Sequence, residues 1–329
     1  MSYRAAVCTA LDGPDSIKIE TRERAPLKPG EVRIVIKAAG LNFPDLLMTY
    51  GKYQFRPDPP FIPGMEFSGE VIEIADGVTA FKVGDAVMGG GKGDCIAEEA
   101  LVSAAALVAK PNALSWEEAA CWRAGGVTAW HALHDKAALK AGETLLVLGA
   151  AGGVGMAAVS LGKHMGAIVI GTGSSAEKRD AILAAGADHA LDPADPELAA
   201  KVKKLTGGKG CDVVFDPVGG ELSITATRAI GWGGRFLIIG FASGTTPSFP
   251  ANHALIKGYS LIGLRAGEAS RRDADLAART GIELKKLAEA GIMRPHISHR
   301  LSLEQTREAL LVLERREAIG RVVISIDKQ

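Results

Sequence analysis

Residues 145–155 read LLVLGAAGGVG: an apolar run stops at a glycine-rich turn and leads into MAAVSLGKHMGA, whose small and apolar residues recur at helical spacing. A parallel strand that feeds a helix through such a turn aims unpaired helix amides and the positive end of the helix dipole at one point. That arrangement receives a pyrophosphate. Set against G-x-G-x-x-G, the segment Ala150-Ala151-Gly152-Gly153-Val154-Gly155 has Ala in the first place and Gly in the third and sixth. Gly152 lets the backbone approach a phosphate, Gly155 lets helix and strand pack closely, and Gly153 and Val154 complete the turn. A glycine pattern alone also fits an ordinary tight turn, so the neighbouring sequence decides. AIVIGTGS from Ala167 reads as a second strand and AEKRDAILAAGA as its helix, which together supply the βαβ frame of a dinucleotide site.

The tip of that second strand bears on which dinucleotide fits. NAD sites carry Asp or Glu about twenty residues beyond the glycines, where it accepts from the ribose hydroxyls. Here the place belongs to Gly173, followed by Ser174, Ser175 and, one helical turn on, Lys178, while Glu177 is expected to face water. Without a carboxylate to repel it, a 2′-phosphate has two hydroxyls and an ammonium to meet, and NADPH is the expected cofactor. Lys178 also fits a solvated helix surface.

Further apolar runs, HALD, CDVVFDPVG, GRFLIIG and YSLIGLR, alternate with helical stretches such as PELAAKVKKLTGG, which predicts a doubly wound parallel sheet. Upstream the pattern changes. VRIVIKAAG, EFSGEVIEIA and AVMGGGKGDCIAEEALV are short strands separated by turn signals, the material of a partly open antiparallel barrel. Ser115 and Glu118 have capping-box spacing at the start of a helix, and a second helix is expected over about 127–136. Two domains follow: 1–126, with 265–329 returning to it, and 127–264 for the dinucleotide. A length of 329 residues suits two cores.

Lys plus Arg equals Asp plus Glu at 38 each, so no global basic field points to nucleic acid. Neither a signal-like apolar segment nor an apolar span of membrane length occurs, and a cytoplasmic protein without membrane association is expected. The four cysteines, Cys8, Cys95, Cys121 and Cys211, lack metal-site or disulfide spacing and read as buried or half-buried free thiols. His131 and His134 lie about one helical turn apart with no evident ligand partner and read as packing or surface residues, as do His296 and His299.

The segments AAGLNFPDLLMTYGKYQFRPDPPFIPGMEFSGEV from Ala38, AAGGVG, GCDVVFDPVGG from Gly210 and GFASGTTPSFPAN from Gly240 occur in this order along the chain. In them the sequence resembles the zinc-independent quinone oxidoreductase branch of the medium-chain dehydrogenases and reductases. The resemblance implies a GroES-like substrate domain, a Rossmann domain, a homodimer and a small electrophilic substrate. It also implies hydride transfer from NADPH to a quinone or other α,β-unsaturated carbonyl; an enoyl thioester reductase, or a cofactor-binding protein with little turnover, are the alternatives. Asn42, Met65 and Ala124 stand where zinc-dependent relatives carry Cys, His and Cys, and an amide, a thioether and a methyl cannot make zinc's N/S tetrahedron. No metal is therefore expected, and Glu66 is left as a structural acceptor. By the same resemblance Asn42 lies beside the nicotinamide and Tyr53 in the substrate pocket, both as catalytic candidates. Thr128 approaches the nicotinamide ribose, Gly240 and Phe241 belong to the cofactor site, and Arg321 approaches the cofactor phosphates. Asn42 also fits a turn cap. Leu47 replaces a second pocket tyrosine. Arg123 and Arg265 stand where relatives are more often apolar or aromatic, and read as selecting an anionic or polarised substrate group, with a local Arg265–Glu268 ion pair as the competing reading.

Overall fold

The computed structural model describes residues 1–326. Its described residues divide into two compact units, 1–124 with 295–326, and 125–294. The division differs from the sequence-based boundaries chiefly at the tail, where residues 265–294 group with the second unit.

The first unit opens with a hairpin of β1 (Ser2–Cys8) and β2 (Ile17–Glu23). Its main sheet is built on the long strand β3 (Glu31–Leu41), which leads through Asn42 into the short helix α1 (Phe43–Thr49). β4 (Glu66–Ile74), β5 (Ala86–Gly90), β6 (Glu99–Ser103) and β7 (Leu107–Ala109) follow. β4 and β6 both pair antiparallel with β3. Helix α2 (Trp116–Trp130) then carries the chain into the second unit.

The second unit is a six-stranded sheet of β8 (Thr144–Val147), β9 (Ile168–Thr172), β10 (His189–Leu191), β11 (Cys211–Asp216), β12 (Ile230–Ile238) and β13 (Ser260–Gly263). All its pairings are parallel, in the order β10-β9-β8-β11-β12-β13. This is the 3-2-1-4-5-6 order of a dinucleotide-binding fold, whose direction of winding reverses between β8 and β11. Connecting helices are α3 (Gly153–His164), α4 (Ala176–Ala184), α5 (Leu198–Leu205), α6 (Gly220–Ala229) and α7 (Ala251–Lys257). Leu146, Leu148, Ile170, Val214 and Phe236 form the buried centre, the near-continuous apolar strands that a sheet covered on both faces requires. α8 (Ala266–Arg272) and α9 (Ala274–Glu289) end this unit.

The tail completes the first unit with β14 (Ile297–Leu301), α10 (Thr306–Glu314) and β15 (Arg321–Ser325). β15 lies between β14 and β3, and Val322, Val323 and Ile324 are buried among Val32, Ile34, Ile36 and Phe67 in the barrel interior or in the adjoining cluster around Ala38 and Ala120.

Two local expectations change. The helix starting near Ser115 and the one expected over 127–136 are one helix through Gly125-Gly126, followed by a π-helical turn at His131–Lys136. A Cβ on Gly125 would lie 3.4 Å from both the Ala157 side chain and the Gly153 carbonyl oxygen, so close packing there offsets the helix cost of glycine, about 1 kcal/mol. The glycine turn also begins one residue earlier than the G-x-G-x-x-G match places it. Gly149 has φ of 58°, donates to Thr172 Oγ1 at 3.0 Å and accepts from the Gly152 amide at 3.0 Å. The working glycines are thus 149, 152 and 155, three residues apart.

Candidate active site

In the nucleotide-binding unit, Gly152 is the N-cap of α3, and the Met156 amide makes the helix's first bond, 2.8 Å to the Gly152 oxygen. The amides of Gly153, Val154 and Gly155 therefore precede the hydrogen-bonded ladder and form an anion-binding end. A Cβ on Gly155 would sit 2.5 Å from the Gly149 oxygen and 2.8 Å from Ala150 Cα, so only glycine lets α3 lie this close to the turn. Thr128 is on α2 of the same unit, half-buried. Gly240 and Phe241 follow β12, with Phe241 40% exposed. Asp216, buried at the end of β11, orders the neighbouring loop by accepting from the Val218 and Gly219 amides and the Ser223 hydroxyl.

At the β9 tip an acidic side chain is not merely missing. A Cβ on Gly173 would lie 2.8 Å from Ile182 Cδ1 and 3.2 Å from the Arg179 nitrogen, so Asp or Glu there would require Ile182 and the start of α4 to shift. Ser174 is exposed, Lys178 is half-buried and Glu177 faces solvent. Ser175 plays a structural part, because its hydroxyl caps α4 by accepting from the Lys178 amide at 3.2 Å. The sequence reading missed Arg179, whose Nη1 donates to the Gly173 oxygen at 2.9 Å.

In the barrel unit the sheet order β15-β3-β4 brings three distant residues to one place. Val322 pairs with Leu41 and Gly40 with Glu66, so Arg321, Asn42 and Glu66 sit side by side at the strand ends. Arg321 donates through Nη2 to Glu66 Oε1 and through Nη1 to Asn42 Oδ1 at 3.0 Å, and Asn42 Nδ2 donates to the same Glu66 oxygen at 3.0 Å. Glu66 Oε2 accepts from the Ala124 amide at 2.9 Å. Side-chain exposure is 5% for Arg321 and 3% for Glu66. Burial alone would lower the Arg321 pKa, but Glu66 and Cys121 more than offset it and hold the guanidinium charged. Arg321 is thus held inside the barrel unit by Glu66 and Asn42. Gly40 admits α2 to this cluster, since a Cβ there would lie 2.3 Å from the Ala120 oxygen.

Asn42 is the N-cap residue of α1, and its amide donates to Asp45 Oδ2 at 2.8 Å. Its side-chain oxygen and one amide hydrogen are held by Arg321 and Glu66, leaving one hydrogen available. Tyr53 lies half-buried in the loop after α1, and Leu47 is half-buried on α1. Met65 precedes Glu66, so Asn42, Met65 and Ala124 do come together, but among the described residues no group of three or more His, Cys, Asp or Glu is placed to hold a metal. Arg123 is half-buried near Glu66, and burial lowers its pKa against the pull of that carboxylate. Arg265 belongs to the other unit, exposed at the N-cap of α8, and Glu268 bonds Arg271 and Arg272 at 2.8 and 2.9 Å, which removes the proposed Arg265–Glu268 pair. His131 and His134 do have a carboxylate partner, each placing Nδ1 2.8 Å from Asp135, and His134 stacks on Trp130. All four cysteines are free and buried.

Asp45 is fully buried and also accepts from the Gly64 amide at 3.1 Å. Burial raises its pKa to about 7 in spite of both bonds. The folded state therefore holds this proton more tightly than the unfolded chain does. Its contribution is fully present below about pH 4, falls as pH rises and is lost by about pH 7, a change of a few kcal/mol. Denaturation midpoints at several pH values should show this slope, and Asp45→Asn should flatten it whatever its absolute stability. Parallel curves for the two proteins would refute the assignment.

Two family descriptions match the chain: an alcohol dehydrogenase GroES-like domain over residues 28–141 and a zinc-binding dehydrogenase domain over residues 153–279. A quinone oxidoreductase-like protein 2 homolog of Nematostella vectensis is 37% identical, over 98% of this chain and 89% of that protein. A Mycobacterium abscessus structure named a probable oxidoreductase superposes with a TM-score of 0.90 at 35% identity, over 99% of each chain. A mycobacterial protein solved with NADPH gives a TM-score of 0.89 at 28% identity, over 98% of this chain and 99% of that one. The chain belongs to the medium-chain dehydrogenase/reductase superfamily, in its quinone oxidoreductase branch. It is an oxidoreductase of that fold. No helix among the described residues is long and apolar enough to cross a membrane.

Proposed function

We propose that the protein is an NADPH-dependent reductase of quinones or other α,β-unsaturated carbonyls that works without a metal. The observation that carries this reading is the polar cluster in which Glu66 and Arg321 hold the Asn42 amide at both ends, Asn42 being one of the three residues, with Met65 and Ala124, that stand where zinc-dependent relatives carry metal ligands. The amides of Gly153, Val154 and Gly155 would hold the pyrophosphate, and the β9 tip the 2′-phosphate, a reading supported by the solved mycobacterial relative with NADPH. The nicotinamide, when bound, supplies the hydride. Asn42 presents its remaining amide hydrogen, fixed in direction beforehand, and Tyr53 offers a hydroxyl; both serve by orienting and hydrogen bonding. Thr128, Gly240 and Phe241 line the cofactor side.

The deciding experiment is steady NADPH oxidation with a panel of quinones, enones and enoyl thioesters, with and without chelator. Turnover with at least one class, NADPH favoured over NADH by about tenfold or more, and no effect of chelator are expected. Failure with every acceptor, or one bound zinc lost together with activity, would overturn the reading.

Arg123 extends it. Arg123 is half-buried, and both oxygens of the nearby Glu66 already accept hydrogen bonds, which leaves a cation suited to an anionic or strongly polarised substrate group. Arg123→Leu should lower kcat/KM for anionic acceptors by about tenfold or more relative to neutral ones; an unchanged ranking removes the residue from selection. Arg265 is given the same substrate-facing role, tested in the same way.

A homodimer completes the proposal. β13 ends the sheet with one edge unpaired, and Trp232, Leu255 and Ile256 near that edge are 81%, 82% and 67% exposed. Sedimentation should give twice the chain mass, and Leu255→Lys should shift it towards one. We place the protein in the cytoplasm, consistent with four free, buried thiols.

A further inference from the structure

We infer that Arg179 is the planar fork that takes the 2′-phosphate of the dinucleotide, and that Asp192 is its resting partner, given up when the phosphate arrives. The inference rests on the NADPH reading and adds to Lys178 a residue that reads phosphate by shape as well as charge.

The guanidinium is fixed at the place where NAD sites carry their acidic residue, because Nη1 donates to the Gly173 oxygen at 2.9 Å. Its second contact is loose, 3.5 Å from the same nitrogen to Asp192 Oδ2, with side-chain exposures of 29% and 43%. At that distance the contact barely qualifies as a hydrogen bond, and an exposed pair of this kind holds weakly. Nε and Nη2 have no hydrogen-bond partner among the described residues. They are the two parallel donors that a phosphate accepts in bidentate fashion, the strong mode of guanidinium recognition. Asp192 does not depend on Arg179, since its Oδ1 accepts from the Ala194 amide at 2.9 Å. Losing Arg179 to a phosphate therefore leaves Asp192 anchored and close to solvent. The other groups at this tip are more restricted. Ser175 is occupied as the cap of α4, and Gly173 has no side chain to offer. Asp192 consequently acts against the site it borders, as a carboxylate competing for the same guanidinium that the phosphate needs.

Two ligands that differ only in the 2′-phosphate, 2′,5′-ADP and 5′-AMP, test this by calorimetry on the cofactor-free protein. The wild-type protein should prefer 2′,5′-ADP by tenfold or more. Arg179→Ala should abolish most of that preference while keeping 5′-AMP affinity, and Arg179→Lys, which retains the charge without the fork, should recover only part. Asp192→Asn should raise the preference. A wild-type protein that binds both ligands equally overturns the NADPH reading and this inference with it. A wild-type preference that survives intact in Arg179→Ala overturns the inference alone. Should Arg179→Ala weaken both ligands alike, Arg179→Lys decides, and equal weakening there also assigns Arg179 to the Gly173 turn only. An Asp192→Asn preference no greater than wild type refutes the resting-partner role.

Discussion

Replacing Glu66 by alanine is expected to destabilise the protein by about 3–5 kcal/mol, the cost of leaving one member of a buried ion pair without its partner. Arg321 would stay charged behind 5% exposure, and the Asn42 and Ala124 amides would lose their acceptor. The double replacement Glu66→Leu with Arg321→Met should be milder than Glu66→Ala, since it removes both charges and fills the space with apolar atoms. Chemical denaturation of the three proteins checks this. A double variant as unstable as the sum of its single changes would mean that the two residues act independently, contrary to their direct bond.

Asn42→Ala should lower turnover about a hundredfold to a thousandfold, the usual loss when one oriented donor at developing charge is removed. Nucleotide affinity should change far less, because the helix-end amides of the other unit remain. Measuring kcat and NADPH affinity separately tells the two apart. Full turnover with unchanged affinity would leave Asn42 as a turn residue and a brace for Arg321 only. Glu66→Gln offers an intermediate case: its carbonyl oxygen can still accept from both Asn42 and Arg321, as Oε1 does, but an NH2 group replaces the oxygen that accepts from the Ala124 amide and the negative charge is lost, so turnover should fall by less than in Asn42→Ala.

The parallel sheet and its glycine turn were legible because their signals are local: apolar runs of strand length, helices between them, and glycines where a helix meets a phosphate. Gly149 escaped because the pattern was matched with Ala150 in first place, although spacing by threes was visible in the same letters. Arg179 was hidden by its neighbour Lys178, the more obvious cation, and only its bond to Gly173 separates the two. The link between Glu66 and Arg321 spans 255 positions and has no local signature, so only the strand pairing brings it to light. The grouping of residues 265–294 with the second unit is hidden in the sequence for a similar reason. Helical periodicity shows that a segment buries one face without saying against which core.

The order in which the chain is made gives the tail a further consequence. The second unit is one continuous stretch, 125–294, and can fold as it is synthesised; the first must wait for residues that come after it. During that interval β3 lacks β15 as a neighbour, and Glu66 and Asn42 lack the Arg321 guanidinium that bonds both. The growing chain therefore carries an unfinished barrel with an exposed strand edge until residue 321 has been added. Arg321 then acts as a clasp that closes a unit begun well before it in the chain, and the oriented Asn42 amide, on which the proposed chemistry depends, exists only after that closure.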